Sequence, residues 1–189
     1  MSSRFCAFLL KKVMGWTMVG DSVFPERNCI ALEAPHTSIW DFVIGYLYYR
    51  ALGGHLRTMI KKEAFVFPFS LLLRALGGFP IDRSHPQKMI MSIIEEMKGS
   101  GEAGRPFHLA MCPEGTRKAV HKWKTGYHSI ATAAGVPVYI TFIDWKEKRV
   151  GVWGKVELTG DARADTDRIQ QIYEDMHLTG LHPEGYATK

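Results

Sequence analysis

Residues 29–54 read CIALEAPHTSIWDFVIGYLYYRALGG. Cys29–Ala34 is a short apolar run, which predicts a buried strand. Ile39–Leu52 has the length and apolar content of a helix, and Gly53 with Gly54 ends it. A strand that leads directly into a helix is the unit from which α/β proteins are built, so this stretch predicts an α/β fold.

The same alternation of strands and helices continues outside this stretch. The predicted strands are Leu56–Ile60, Phe79–Ile81, Pro106–Met111, Val136–Ile143 and Arg149–Leu158, of which the last is one strand or two, broken near Gly154. The predicted helices are Lys62–Leu76, kinked or split at Pro68, then Pro86–Lys98, Gly126–Ala134 and Thr166–His177. We expect a single domain with a mixed, largely parallel sheet flanked by helices. In this division residues 1–20 form an N-terminal amphipathic helix, 21–180 the domain itself and 181–189 a tail.

The composition is that of a globular protein. Of the 189 residues, 46% are apolar and 23% are charged, which excludes disordered, collagen-like and coiled-coil chains. The formal net charge of +5 favours anionic partners, without choosing among nucleic acid, phosphorylated metabolites and acidic lipid surfaces. No stretch has the length and apolar content of a transmembrane helix.

The cysteines and histidines predict neither a disulfide framework nor a metal site. The cysteines are Cys6, Cys29 and Cys112, an odd number with no tight spacing and no C-x-x-C pair, which indicates a reducing compartment and hence the cytosol. Eight histidines are present, but no H-E-x-x-H or zinc-finger spacing occurs, so we expect no metal.

The first candidate site is His36 with Asp41, between the predicted strand and helix. Histidine is the natural general base near neutral pH, and a carboxylate can fix its tautomer and stabilise the imidazolium. The spacing brings the two together if His36 lies in the loop and Asp41 lies one turn inside the helix. The alternative is that Asp41 only caps the helix and His36 is an ordinary loop residue.

Two further loops carry residues that can bind anions. Residues 77–83 read GGFPIDR, where glycines permit close approach to a ligand and Arg83 offers a planar fork of donors suited to phosphate. Residues 112–117 read CPEGTR, just past a predicted strand, at the end where α/β sheets bind ligands. There Glu114 can accept from hydroxyl groups and Arg117 can bind an anion. Each loop could equally be a turn with an exposed ion pair.

Together these blocks resemble the lysophospholipid acyltransferase family, whose best-known members are the 1-acylglycerol-3-phosphate acyltransferases. That family carries N-H-x4-D, G-x-x-F/I-x-D-R, F-P-E-G-T-R-S and V-P-V blocks in this order. The matching positions here are His36 with Asp41, Gly78 to Arg83, Pro113 to Arg117, and Val136 to Val138. The resemblance covers about residues 30–145 and implies the fold of glycerol-3-phosphate acyltransferases.

The resemblance also implies a mechanism that uses no metal or cofactor. His36 would remove the proton from an acceptor hydroxyl and Asp41 would orient it, so that the hydroxyl attacks the thioester of acyl-CoA or acyl carrier protein directly. The acceptor would be a phosphate-bearing lysolipid such as 1-acylglycerol 3-phosphate, in phospholipid biosynthesis. The implied acceptor-binding residues are Arg83, Glu114, Gly115, Thr116 and Arg117.

Three positions depart from the family's pattern. Pro35 stands where the family usually has Asn, so it cannot donate a side-chain hydrogen bond to the site. Cys112 replaces an aromatic residue, and Lys118 follows Arg117 in place of Ser. The chain is also short for the family. His36 and Asp41 are unaffected, so these changes bear on the acceptor rather than on the catalytic pair.

Two segments predict contact with a membrane surface. On a helical wheel the apolar residues of 5–14 share one broad face while Arg4 and Lys11 share the other, a pattern typical of interfacial helices. Residues 65–73 add three phenylalanines and three leucines next to Pro68. The alternative is that both segments face the core. With a lipid acceptor we expect a cytoplasmic enzyme, peripheral on the inner face of the cytoplasmic membrane.

Other functions remain as alternatives. A thioester hydrolase would use the same pair on water and release fatty acid without an acceptor, and an acyltransferase could use a hydroxyl outside glycerolipids. A non-catalytic lipid- or CoA-binding protein is a third class, against which His36 and Asp41 argue. The basic cluster of residues 118–124 could contact nucleic acid, but its position after Arg117 fits an anionic donor or headgroup better, so we expect no nucleic-acid partner.

Overall fold

The computed structural model describes residues 2–20, 24–82, 84–102 and 106–187. The strands are β1 (Thr17–Val19), β2 (Asn28–Ala34), β3 (Leu56–Lys61), β4 (Gly78–Ile81), β5 (Phe107–Met111), β6 (Val138–Asp144) and β7 (Arg149–Val156). The helices are α1 (Ser3–Phe8), α2 (Ile39–Ala51), α3 (Phe69–Ala75), α4 (Pro86–Glu102), α5 (Gly126–Ala134) and α6 (Ala162–Asp175).

The strands form a seven-stranded sheet in the order β1-β7-β6-β2-β5-β3-β4. Neighbours from β6 across to β4 pair in parallel, β7 pairs antiparallel with β6, and β1 joins β7 in parallel. The mixed, largely parallel sheet expected from the sequence is therefore confirmed. Because β2, β4 and β5 are parallel, the loops that follow them leave the same edge of the sheet, where α/β folds bind ligands.

Helices cover both faces of the sheet, and β2 alternates between two apolar layers. Ile30 and Leu32 are fully buried on the side where α4, α5 and α6 pack. Cys29 and Ala31 point to the opposite side, against Tyr49 of α2. The central position of β2 explains why its residues are buried on both faces and why its end is held rigidly.

The N-terminal segment packs against α2. A five-residue π-helical turn, Leu9–Val13, extends α1, and Cys6 and Leu10 are fully buried in a cluster with Ile44 and Leu47. The apolar face of this segment therefore serves mainly the core, although other apolar side chains of residues 5–13 are exposed. Among the described residues, no helix combines the length and apolar character needed to cross a bilayer.

Several boundaries differ from the predicted ones. The helical segment at the N-terminus ends at Val13, and residues 17–19 instead join the sheet by pairing with β7. The helix predicted over 62–76 is split at Pro68 into a short 3-10 turn (Lys62–Ala64) and α3. The last helix begins earlier than predicted, at Ala162, because Asp161 caps it by accepting from two backbone amides.

Candidate active site

His36 and Asp41 lie together at the carboxyl end of β2. His36 Nδ1 is 3.3 Å from Asp41 Oδ2, and the imidazole is 23% exposed while the carboxylate is fully buried. Asp41 Oδ2 also accepts from the backbone amides of Thr37 and Ser38, both at 2.8 Å. Ser38 caps α2 and forms a capping box with Asp41. The helix start thus fixes the carboxylate beside an accessible imidazole, an arrangement that can support general base chemistry.

Trp145, which the sequence analysis did not single out, is the third group that holds Asp41. Its indole Nε1 donates to Asp41 Oδ1 at 2.7 Å. Trp145 follows β6, and its own amide donates to the Thr179 carbonyl at 2.9 Å. A signal was present, because Trp145 lies directly after a strand at the edge where the other site loops lie. The donors to Asp41 therefore do not depend on residue 35, where proline replaces the family's Asn.

The loop after β5 joins this pair through Glu114. Glu114 Oε1 accepts from the His36 amide at 2.8 Å, and the residue is only 2% exposed. Gly115 has a φ of 68°, in the left-handed region, and a Cβ there would lie 2.8 Å from Lys124 Cδ. The tight turn after Glu114 therefore requires glycine, and it carries Thr116 and Arg117 outward.

Carboxyl groups crowd the buried side of the site. Burial raises the pKa of Glu114 to about 8, and the charge of Asp41 adds to the rise while the His36 amide opposes it. Burial also raises the pKa of Glu33 to about 8, with Asp41 and Glu114 adding to it. Near neutral pH both glutamates are therefore largely protonated. A Glu33 oxygen, a His36 ring nitrogen and Cys112 Sγ lie within 4.8 Å of one another, a set that could hold a metal ion.

An open groove of about 660 Å³ lies next to the His36 loop. Its lining comes from the start of α2, the loop after Glu114 and the C-terminal segment: Thr37, Ser38, Ile39, Trp40, Thr116, Arg117, Lys118, Leu181 and His182. Arg117, Lys118, Ile39 and Trp40 are exposed. The groove therefore offers cationic and apolar side chains side by side, which suits an anionic amphiphile.

The C-terminal segment, predicted as a tail, packs over the His36 loop. The His182 amide donates to Thr37 Oγ1 at 3.2 Å, and a Cβ on Gly180 would come within 2.5 Å of Thr37 Cγ2. A short 3-10 turn, Pro183–Gly185, follows. This segment forms one wall of the groove.

The structure brings most of the predicted site residues together. His36 contacts both Asp41 and Glu114, and Thr116 and Arg117 line the adjacent groove. Arg83 lies outside the described residues, while its neighbour Asp82 pairs with Lys62 at 2.6 Å. In the basic cluster after Arg117, Trp123 is buried against Tyr173, so it is not available to stack on a base.

Comparison with known proteins gives one family and one fold. The acyltransferase family model matches residues 16–143. The crystal structure of the 1-acyl-sn-glycerophosphate (LPA) acyltransferase from Thermotoga maritima superposes with a TM-score of 0.65 at 16% sequence identity, covering 93% of this chain and 78% of that chain. At this identity the likeness concerns the fold. No curated protein matches the sequence.

Proposed function

This chain belongs to the acyltransferase family, and we propose that it transfers a fatty acyl group from acyl-CoA or acyl carrier protein to a hydroxyl of a lysophospholipid. The observation that carries the proposal is the accessible imidazole of His36 beside the fully buried Asp41, next to the groove that holds Arg117. An acceptor such as 1-acylglycerol 3-phosphate, in phospholipid biosynthesis, has the phosphate, the hydroxyl and the apolar chain that this groove suits.

In this mechanism His36 is the general base. It takes the proton of the acceptor hydroxyl as the oxygen attacks the thioester carbonyl, and Asp41 stabilises the imidazolium that forms. Collapse of the tetrahedral intermediate breaks the carbon–sulfur bond, and the imidazolium returns its proton to the leaving thiolate. No acyl-enzyme forms, and the residues at the site perform these steps without a metal or cofactor.

The loop after β5 binds the acceptor. Arg117 donates to the phosphate, with Arg83 as the second arginine, because guanidinium groups match phosphate geometry. Thr116 supplies a hydroxyl beside Arg117, and Gly115 allows the turn that presents Thr116 and Arg117 to the groove. Glu114 holds the backbone of His36 and so ties the acceptor-binding loop to the base.

The enzyme acts at a membrane surface, cytoplasmic and peripheral on the inner face of the cytoplasmic membrane. Support comes from the segment around α3, where five apolar side chains are more than half exposed: Val66, Phe67, Phe69, Leu71 and Leu72. No residue of α3 is buried. Exposed Lys61 and Arg74 flank this apolar segment, which suits an anionic lipid surface. The segment follows β3 and therefore lies at the same edge of the sheet as His36.

Thiol release from long-chain acyl-CoA or acyl carrier protein, with and without a panel of lysophospholipids, tests the function. Because a general base contributes about 10²–10⁴-fold, His36→Ala is expected to lose acceptor-dependent release to that extent. His55→Ala is the matched control, since His55 is exposed just before β3, at the opposite edge of the sheet.

Three other results of this assay would contradict the proposed function or the role of His36. Release that does not depend on an acceptor would identify a thioester hydrolase. Acyl transfer that survives His36→Ala would refute the assignment of the base. Binding of lysolipid and acyl-CoA with no turnover by the wild type would identify a binding protein.

A further inference from the structure

Three potential metal ligands converge on the buried side of His36. Glu33 in β2 and Cys112, the first residue after β5, each follow the register pair Leu32–Met111 of these parallel strands by one residue. Side chains at matched positions of adjacent strands point to the same side of the sheet. His36 follows in the next loop, and one ligand atom from each of the three lies within 4.8 Å of the others.

The side chains of Glu33, His36 and Cys112 together favour a transition-metal ion over magnesium or calcium. A thiolate, an imidazole and a carboxylate together favour zinc, whereas magnesium and calcium prefer oxygen ligands alone. Zinc–ligand bonds of about 2.0–2.3 Å place tetrahedral ligands about 3.4 Å apart. All three side chains are only partly buried. Rotations that shift each ligand atom by about 1 Å would therefore close the site around an ion.

The charge around these ligands also favours a cation. Asp41 and Glu114 are buried beside them, and Glu114 Oε2 is a buried oxygen without a hydrogen bond. In the part of the chain that the structure describes, no lysine or arginine forms an ion pair with Glu33, Asp41 or Glu114. The Asp41 carboxylate therefore favours a cation at these ligands, and a bound zinc ion would displace the proton that Glu33 holds near neutral pH.

We infer that Zn²⁺ binds to Glu33, His36 and Cys112 and inhibits the enzyme reversibly. The ring nitrogen that coordinates zinc cannot accept a proton, and the charge of the ion disfavours protonation of the other nitrogen. Three protein ligands leave one position for water, as in open zinc sites. The inhibition rests on the proposed role of His36 as the base, whereas the binding does not.

Binding is tested on the full chain after treatment with a chelator. Calorimetry with Zn²⁺ is expected to give one site per chain, and Mg²⁺ to give none. Co²⁺ in place of Zn²⁺ is expected to produce a thiolate-to-metal absorption band. Cys112→Ala removes the thiolate, so it is expected to abolish this band and to weaken Zn²⁺ binding at least about tenfold, because even residues that only orient metal ligands contribute about 10–100-fold.

Cys29→Ala is the matched control, because Cys29 lies on the same side of β2 as Glu33 but away from the site. This variant is expected to keep the Co²⁺ band and the Zn²⁺ affinity of the wild type, with circular dichroism checking that both variants fold. Equal Zn²⁺ affinity in Cys112→Ala and the wild type would overturn the inference, as would the absence of binding by the wild type.

Acyl-transfer assays separate this inference from the proposed function. Zn²⁺ is expected to inhibit thiol release by the wild type, with recovery on chelation and at least about tenfold lower sensitivity in Cys112→Ala. Transfer that is insensitive to Zn²⁺ would overturn the inhibition and leave the proposed function standing. Zn²⁺ binding at Cys112 in a protein without acyl transfer would refute the function but not the site.

Discussion

Asp41 shows how one buried carboxylate can organise the site. Its two oxygens receive hydrogen bonds from Thr37, Ser38 and Trp145 while it faces the imidazole of His36. Backbone amides and an indole donate but cannot lose a proton at physiological pH, so they stabilise the charged form in every step. A carboxylate held in this way can stabilise an imidazolium without moving.

Trp145→Phe is expected to lower kcat about ten- to a hundredfold, with little change in KM. The substitution keeps the edge-on packing against Trp16 but removes the hydrogen bond to Asp41. A hydrogen bond to a charged group contributes about 1.5–3 kcal/mol, which corresponds to this range in rate. Steady-state kinetics measure the effect, and Trp153→Phe, at a half-exposed tryptophan of β7, is the control. An unchanged kcat would show that Trp145 does not position Asp41.

The raised pKa of Glu114 makes stability depend on pH. Between about pH 4.5 and pH 8 the folded protein keeps protons on Glu114 and Glu33 that the unfolded chain has released. The free energy of unfolding is therefore expected to fall as the pH rises through this window. Urea denaturation at pH 5, 6.5 and 8 measures the slope, which Glu114→Gln is expected to reduce by roughly half because one of two such groups is removed.

Glu184→Gln controls for the loss of a carboxylate in general, since the Glu184 side chain is 79% exposed. This variant is expected to keep the slope of the wild type. A slope in Glu114→Gln equal to that of the wild type would mean that Glu114 ionises normally in the folded protein.

Among the α-helices in the part of the chain that the structure describes, α3 alone contains no buried residue. Leu71 of α3 is 65% exposed, and Phe67, two residues before the helix, is 83% exposed. The N-terminal segment was the other candidate for membrane contact, but its Cys6 and Leu10 side chains are buried in the core. The segment around α3 is therefore the stronger candidate for the lipid surface, because it exposes five large apolar side chains, whereas residues 5–13 expose three and bury Cys6 and Leu10.

Phe67→Ser is expected to weaken binding to vesicles of phosphatidylcholine and phosphatidylglycerol about tenfold or more. Burying a phenylalanine side chain contributes about 1.5–3 kcal/mol, and the substitution removes that contribution. Co-sedimentation measures binding. Met91→Ser is the control, since Met91 is 56% exposed but belongs to α4. A loss of binding in Phe8→Ser with none in Phe67→Ser would transfer the docking surface to the N-terminal segment.

At the scale of the whole molecule, the site is assembled from parts that are distant in the chain. The His36 loop, the loop after β5, the turn after β6 and the C-terminal segment meet at one edge of the sheet. Gly180 lies where the C-terminal segment meets the His36 loop, and its backbone packs directly on the Thr37 side chain. The C-terminal segment therefore supports the geometry of the His36 loop.

Gly180→Ala is expected to destabilise the protein by about 1–3 kcal/mol and to lower acyl-transfer activity. The added Cβ would overlap Thr37, whose branched side chain cannot easily move aside. Gly160→Ala adds the same methyl group in open space and is expected to change stability by less than about 0.5 kcal/mol. Urea denaturation and the thiol-release assay measure both. Equal stability of the two variants would show that the contact with Thr37 is not tight.

Much of the fold was predictable, because periodicity and apolar runs are local properties. The strand before Pro35, the helix after Ser38 and the alternation along the chain follow from how each segment buries its side chains. The ends of elements were less predictable. Residues 17–19 form a strand only because β7 offers a free edge in register with them.

The sequence by itself determined the α/β class, the order of the motif blocks and the closeness of His36 to Asp41, which lie within one loop and one helical turn. The tertiary structure alone decided that Trp145 holds Asp41 across 104 positions of the chain, and that Cys112 lies beside Glu33 and His36. Both contacts depend on which strands are neighbours in the sheet. No local pattern contains that information, because strand order results from the packing of the whole chain.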